Sequence, residues 1–145
     1  MKTPFDGAIR LRRREIDEMR VAISVQIDRL TEVEALQADT AAAMRRESEI
    51  AADDVLLSSH AYMMRIRAER ARLAADQVAI DSRLAQLRAR ALDAYGSCRA
   101  IEEAAESHRE DAAQAEASAE QGHIDDLSGA SFARGMLAVR RPGAR

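Results

Sequence analysis

Large apolar residues recur along this chain in two interleaved sevenfold phases. Leu56, Met63 and Leu84 hold one phase, and Ile66, Leu73, Ile80, Leu87 and Ile101 hold a second, three residues further on. Steps of three and four keep a narrow stripe of side chains on one side of a helix, and a stripe of that width suits a partner helix better than a sheet. Upstream, Ile9, Ile16, Ile23 and Leu30 repeat by seven, with Met19 and Val33 in the second seam position and Met44 continuing the first. Two seams in one chain predict that each covers the other. The expected fold class is therefore all-α, a long antiparallel two-helix coiled-coil hairpin. A continuous helix paired in a dimeric rod is the alternative that the same pattern allows.

The pattern weakens between Glu47 and Ser59, where Ala51, Ala52, Asp53 and Asp54 precede Val55, Leu56, Leu57, Ser58 and Ser59. Asp53, Asp54, Ser58 and Ser59 are all good N-cap residues, so the second helix is expected to start at one of these pairs. A single coiled-coil domain follows, with helix one over about 4–50, the turn over about 51–58, helix two over about 59–121 and a tail over 122–145. Pro4 suits a first helical turn through its fixed φ. Val21, Ile23, Val25 and Ile27 alternate in the manner of a strand, but no second such run exists to pair with them, so the heptads are expected to prevail. Val21 and Val25 then point away from the seam.

Arg70 and Gln77 interrupt the seam, and polar residues there lower stability while discouraging slipped registers. A fold about residue 54 would place residue i near residue 108 − i. Arg10 to Arg14 would then lie beside the region leading into Glu102, Glu103, Glu106 and Glu110, and Glu18 near Arg90. Such exposed pairs contribute only ~0.2–1 kcal/mol each, enough to influence register rather than to hold the helices together.

From Ala104 to Glu120 no large apolar residue occurs, so this stretch has helix propensity but nothing of its own to bury. It is expected to overhang the shorter first helix and to fray. Beyond Gly122 come Ile124, Asp125, Asp126 and Leu127, then a tail from Ser128 to Arg145 with Phe132, Met136, Leu137 and Val139 among arginines, the composition of either a docking segment or a disordered end.

Composition narrows the picture further. The chain has 145 residues and is 47% hydrophobic, but alanine makes up roughly a fifth of it, aromatics are 3% and Trp is absent. A thin core follows, without material for the wide interior of a globular enzyme. A net charge of −3 with 32% charged residues gives no bulk attraction to nucleic acid or an acidic membrane. Cys98, the only cysteine, sits on the seam near Ala94 and Ile101, which excludes an intrachain disulfide and fits a reducing cytoplasm. Residues 1–14 run into Arg10, Arg12, Arg13 and Arg14 without an apolar core, so no secretory signal is expected, and no window approaches the ~18 apolar residues of a membrane span.

His60, His108 and His123 have neither i, i+4 spacing nor a cysteine cluster, which argues against a metal site. No phosphate loop or nucleophile elbow occurs, and the carboxylates of the last third read as a solvated helix face. No catalytic residue and no cofactor is expected. The arginines before the first heptads faintly suggest a basic-region zipper, but Glu15, Asp17 and Glu18 interrupt them at once, so no nucleic acid partner is expected.

Two antiparallel helices with Phe5, Ile9, Leu11 and Arg12, the run Glu15, Ile16, Asp17, Glu18, and Glu120, Gln121, Ile124, Asp125, Asp126 and Leu127 near the end resemble the FliJ family. This is the small coiled-coil component of the flagellar type III export apparatus, related to the stalk proteins of injectisomes. Gly122 falls where the family has a helix former, so the last helix is expected to break there. The resemblance implies a non-enzymatic protein, similar in shape to the central stalk of rotary ATP synthases. It implies that the terminal ends (Phe5, Ile9, Arg12, Glu120, Gln121, Asp125, Asp126) engage the hexameric export ATPase (FliI). It also implies contact with the export gate (FlhA) and export chaperones, and a cytoplasmic location, peripheral at the inner-membrane export apparatus. Aligned from the terminal acidic pair, Tyr62 falls where the family places an aromatic gate-contacting residue, with Met63 beside it and Ile66 one turn on. A generic coiled-coil homodimer scaffold is the alternative function.

Overall fold

The computed structural model describes residues 2–53 and 60–140, and it is all-α: helix α1 is Asp6–Asp53 and helix α2 is His60–Val139, 48 and 80 residues long. The centre of the expected turn, with Asp54, Leu56, Ser58 and Ser59, and the end of the tail from residue 141 lie outside the described residues. Two compact units divide the chain, Arg10–Cys98 and a second made of Met1–Ile9 with Arg99–Arg145.

In the Arg10–Cys98 unit the heptads decide which side chains are covered. Ile16, Met19 and Val33 of α1 and Ile66, Leu73, Leu84, Leu87, Ala94 and Cys98 of α2 are buried, while Val21 and Val25 face solvent as expected. Ile23, Leu30, Met44, Met63 and Ile80 are half-buried on the same seams. The strand-like alternation from Val21 to Ile27 lies within α1, because burial of the heptad face outweighs a local β preference. Ile16 and Met19 pack with Ala94 and Cys98, backed by Ala91, so two long side chains of one helix enter a surface of small ones on the other. Burying each such apolar side chain contributes about 1.5–3 kcal/mol before entropy is set against it.

The helices run antiparallel. Arg20 donates a hydrogen bond to the Tyr95 hydroxyl, Gln37 donates to the Gln77 side-chain carbonyl at 2.9 Å, and the Arg70 guanidinium reaches Met44 Sδ at 3.4 Å, so residue i faces about residue 114 − i. This corrects the expected 108 − i: the register is centred three residues later, which puts Leu84 level with Leu30. Glu18, expected near Arg90, instead accepts from Arg14 on its own helix at 3.2 Å, and Arg12 pairs with Glu15 at 2.8 Å. Solvated charges satisfied within one helix contribute a few tenths of a kcal/mol, too little to set register against a half-buried amide pair and a row of apolar side chains.

Gln77 thus interrupts the seam together with a partner. Changing Gln37 to Ala should cost about 1–2 kcal/mol in urea unfolding, because the Gln77 side-chain carbonyl is left half-buried without its donor. Changing both residues to Leu should raise the midpoint, since apolar replacement of both partners removes the polar cost. A double Leu variant less stable than the single Ala variant would contradict this account.

In the second unit the Asp6 carboxylate closes the turn that leads into α1. The Thr3 hydroxyl donates to Asp6 Oδ1 at 2.7 Å, the Thr3 amide donates to Asp6 Oδ2 at 3.0 Å, and Pro4 takes the first turn. Phe5 meets His108 edge-on at 6.0 Å, and Asp6 lies 3.9 Å from Arg109, with Ile9, Thr3 and Ala105 buried. The stretch from Ala104 is therefore covered further than expected: Ala105 is fully buried and Ala112 half-buried, and uninterrupted exposure begins at residue 113. A second correction concerns the end. Helix α2 passes through Gly122 and Gly129 to Val139 instead of ending near residue 121. A lone glycine costs a helix about 1 kcal/mol without breaking it, and no proline follows before Pro142. No helix among the described residues is long and apolar enough to cross a membrane.

Candidate functional site

The expected gate-facing residues lie in the first two turns of α2. Tyr62 is 37% exposed, Met64 is exposed, Met63 is half-buried on the seam and Ile66 is buried. Tyr62 and Ile66 line one shallow groove of about 620 Å³ between the helices, completed by Asp39, Thr40, Ala42, Ala43 and Arg46 of α1 and by Arg65 and Glu69 of α2. Met63 is not among its lining residues. The Arg65 guanidinium sits 6.0 Å from the Tyr62 ring centroid, a cation–π contact that holds the ring at the groove rim. Glu69 accepts a hydrogen bond from Arg72 at 2.7 Å, and that bond together with the attraction of the carboxylate raises the Arg72 pKa from its ordinary value.

The groove exists because the first helix carries Ala42 and Ala43 where larger residues would fill the space. Its walls carry both signs of charge, Arg46 and Arg65 against Asp39 and Glu69, and its floor is apolar. Such a surface suits the side chains of an amphipathic partner segment more than a small-molecule substrate, which needs a deeper and more enclosed site. Thr40, the alanines and Arg65 were not singled out from sequence. The adjacent Ala42 and Ala43 are the signal that could have found them, but they become a groove only once α2 is laid against them.

Six of the seven terminal residues lie in the second unit, and Phe5 and the acidic set of α2 are separate there. Ile9 is buried and Phe5 half-buried, and Phe5 packs on His108; both serve to seat the chain start on α2. Arg12 lies in the other unit and is paired with Glu15. Glu120, Gln121, Asp125 and Asp126 are exposed on α2, where the Gln121 amide donates to Asp125 at 3.0 Å. Glu120 lies about 18 Å along the helix axis from His108, so Phe5 and the acidic set are not brought together. Among the described residues no group of three His, Cys, Asp or Glu side chains converges as metal ligands would.

No family model, no curated protein and no solved structure matches this chain.

Proposed function

We propose that the chain is a non-enzymatic coiled-coil stalk and adaptor of a flagellar type III export apparatus, engaging the export ATPase ring through distal α2 and the export gate through the groove at Tyr62 and Ile66. Escort of export chaperones fits the same role. The observation that carries this reading is the groove. An aromatic ring at its rim beside a buried isoleucine stands at the two positions where the resemblance puts gate contact, and central aromatic anchors are the usual source of interface affinity. The seam of α1 is covered by α2 of the same chain in the Arg10–Cys98 unit, which favours this role over a generic homodimer held by that seam. Localisation at the inner membrane would follow from the partners.

Hydrogen exchange on the isolated chain and on its mixture with the export ATPase tests the reading. Amides from Ala113 to Glu120 should exchange quickly in the free chain, because a helix with no buried face opens locally at little cost, and should become protected when the ATPase is added. Unchanged exchange at saturating ATPase would remove the ring contact from the proposal.

A further inference from the structure

The last turns of α2 have a character that the stalk reading leaves unused. Residues 101–126 carry nine carboxylates against one arginine, a net of −8, whereas residues 128–145 carry four arginines and no carboxylate, a net of +4. The sign changes across Leu127. In that same basic stretch Phe132 is 71% exposed and Val139 83%, with Met136 and Leu137 also in solvent. At about 100° per residue, Phe132, Met136 and Val139 fall within about 60° of arc on α2, Arg140 flanks them, and Arg134 lies on the opposite side. Leu137 is the large apolar residue of this stretch that faces away from them. The Arg134 Nε donates to the Ala130 carbonyl at 3.2 Å within α2, and the Arg140 amide donates to the Met136 carbonyl at 3.1 Å, closing the turn that follows it.

We infer that the segment from Ser128 to Arg140, the end of α2 and its closing turn, is an interfacial helix that binds the surface of an anionic lipid bilayer, with Phe132, Met136 and Val139 turned into the acyl boundary and Arg140 at the headgroups. Three large apolar residues on one face, Arg140 beside them, a net positive charge and no acidic residue meet the two requirements of such binding, apolar area and attraction to anionic lipid. Nucleic acid would satisfy the arginines but leave the apolar face in water. A second copy of the chain offers an acidic complement in residues 101–126, but from Ala104 to His123 that stretch has no large apolar residue to receive Phe132, Met136 and Val139. Lipid takes both. The preceding acidic stretch is repelled by the same surface, which confines contact to the end of the helix. This inference is independent of the export role.

The test is co-sedimentation of the full chain with vesicles of phosphatidylcholine alone and of phosphatidylcholine mixed with phosphatidylglycerol. Binding is expected to the mixed vesicles only, and to vanish in high salt. Replacing Arg134 and Arg140 together by Gln should weaken it about thirtyfold, and Phe132→Asp should abolish it, whereas Leu92→Asp, at a comparably exposed leucine of the same helix, should leave it unchanged. A Phe132→Trp reporter, in a chain that has no tryptophan, should shift to the blue on the mixed vesicles alone. Circular dichroism should match wild type for every variant. Equal binding to both vesicle types would overturn the inference. So would equal losses from Phe132→Asp and Leu92→Asp, or concentration-dependent self-association in place of vesicle binding.

Discussion

Replacing Leu73 by Ala is expected to lower the unfolding free energy by about 2–3 kcal/mol, the largest stability effect expected of a single truncation among the described residues. Leu73 is 2% exposed, the most buried of the described large seam residues, and truncating it forfeits transfer energy and leaves a void. The value sits toward the lower end of the usual range for leucine, because a two-helix seam has one layer of neighbours and can close partly around the gap. Leu84→Ala and Leu87→Ala, at sites nearly as buried, should cost similar amounts. Val21→Ala should stay within about 0.5 kcal/mol of wild type, since that side chain is in solvent. Urea unfolding of the four variants checks the whole face assignment. A Leu73→Ala protein that unfolds with wild type, next to a crippled Val21→Ala protein, would mean that the faces are exchanged.

The second large effect is on binding. Tyr62→Ala should leave the thermal midpoint within a degree or two of wild type, because the ring lies at the groove rim and its removal opens no cavity. It should weaken binding to the export gate by ~1–3 kcal/mol, as loss of an aromatic anchor does. Ile66→Ala should damage both quantities, since the residue is buried on the seam and also lines the groove. Melting and gate affinity measured on both variants separate packing from recognition. Wild-type gate affinity for Tyr62→Ala, combined with lost affinity for Val21→Ala, would move the contact to the outer face of α1.

The sequence by itself determined the helical class, the two seams and which face of each helix is covered. A sevenfold repeat of Ile, Leu, Met and Val has one low-energy use, and residues as distant as Ile16 and Leu87 can be assigned to it without knowing what they touch. Thr3, Pro4 and Asp6 are local enough for the start of α1 to be read in the same way. What only the tertiary structure decided is everything that depends on how one helix slides against the other. The shift from 108 − i to 114 − i was invisible because surface charges satisfy themselves within a helix, while the Gln37–Gln77 pair that marks the register joins positions forty residues apart. The groove at Tyr62 needs both helices, since Ala42 and Ala43 of α1 are a helix surface until α2 is laid beside them. The length of α2 was hidden for a local reason, because glycine lowers helix propensity by an amount that the rest of a long helix absorbs.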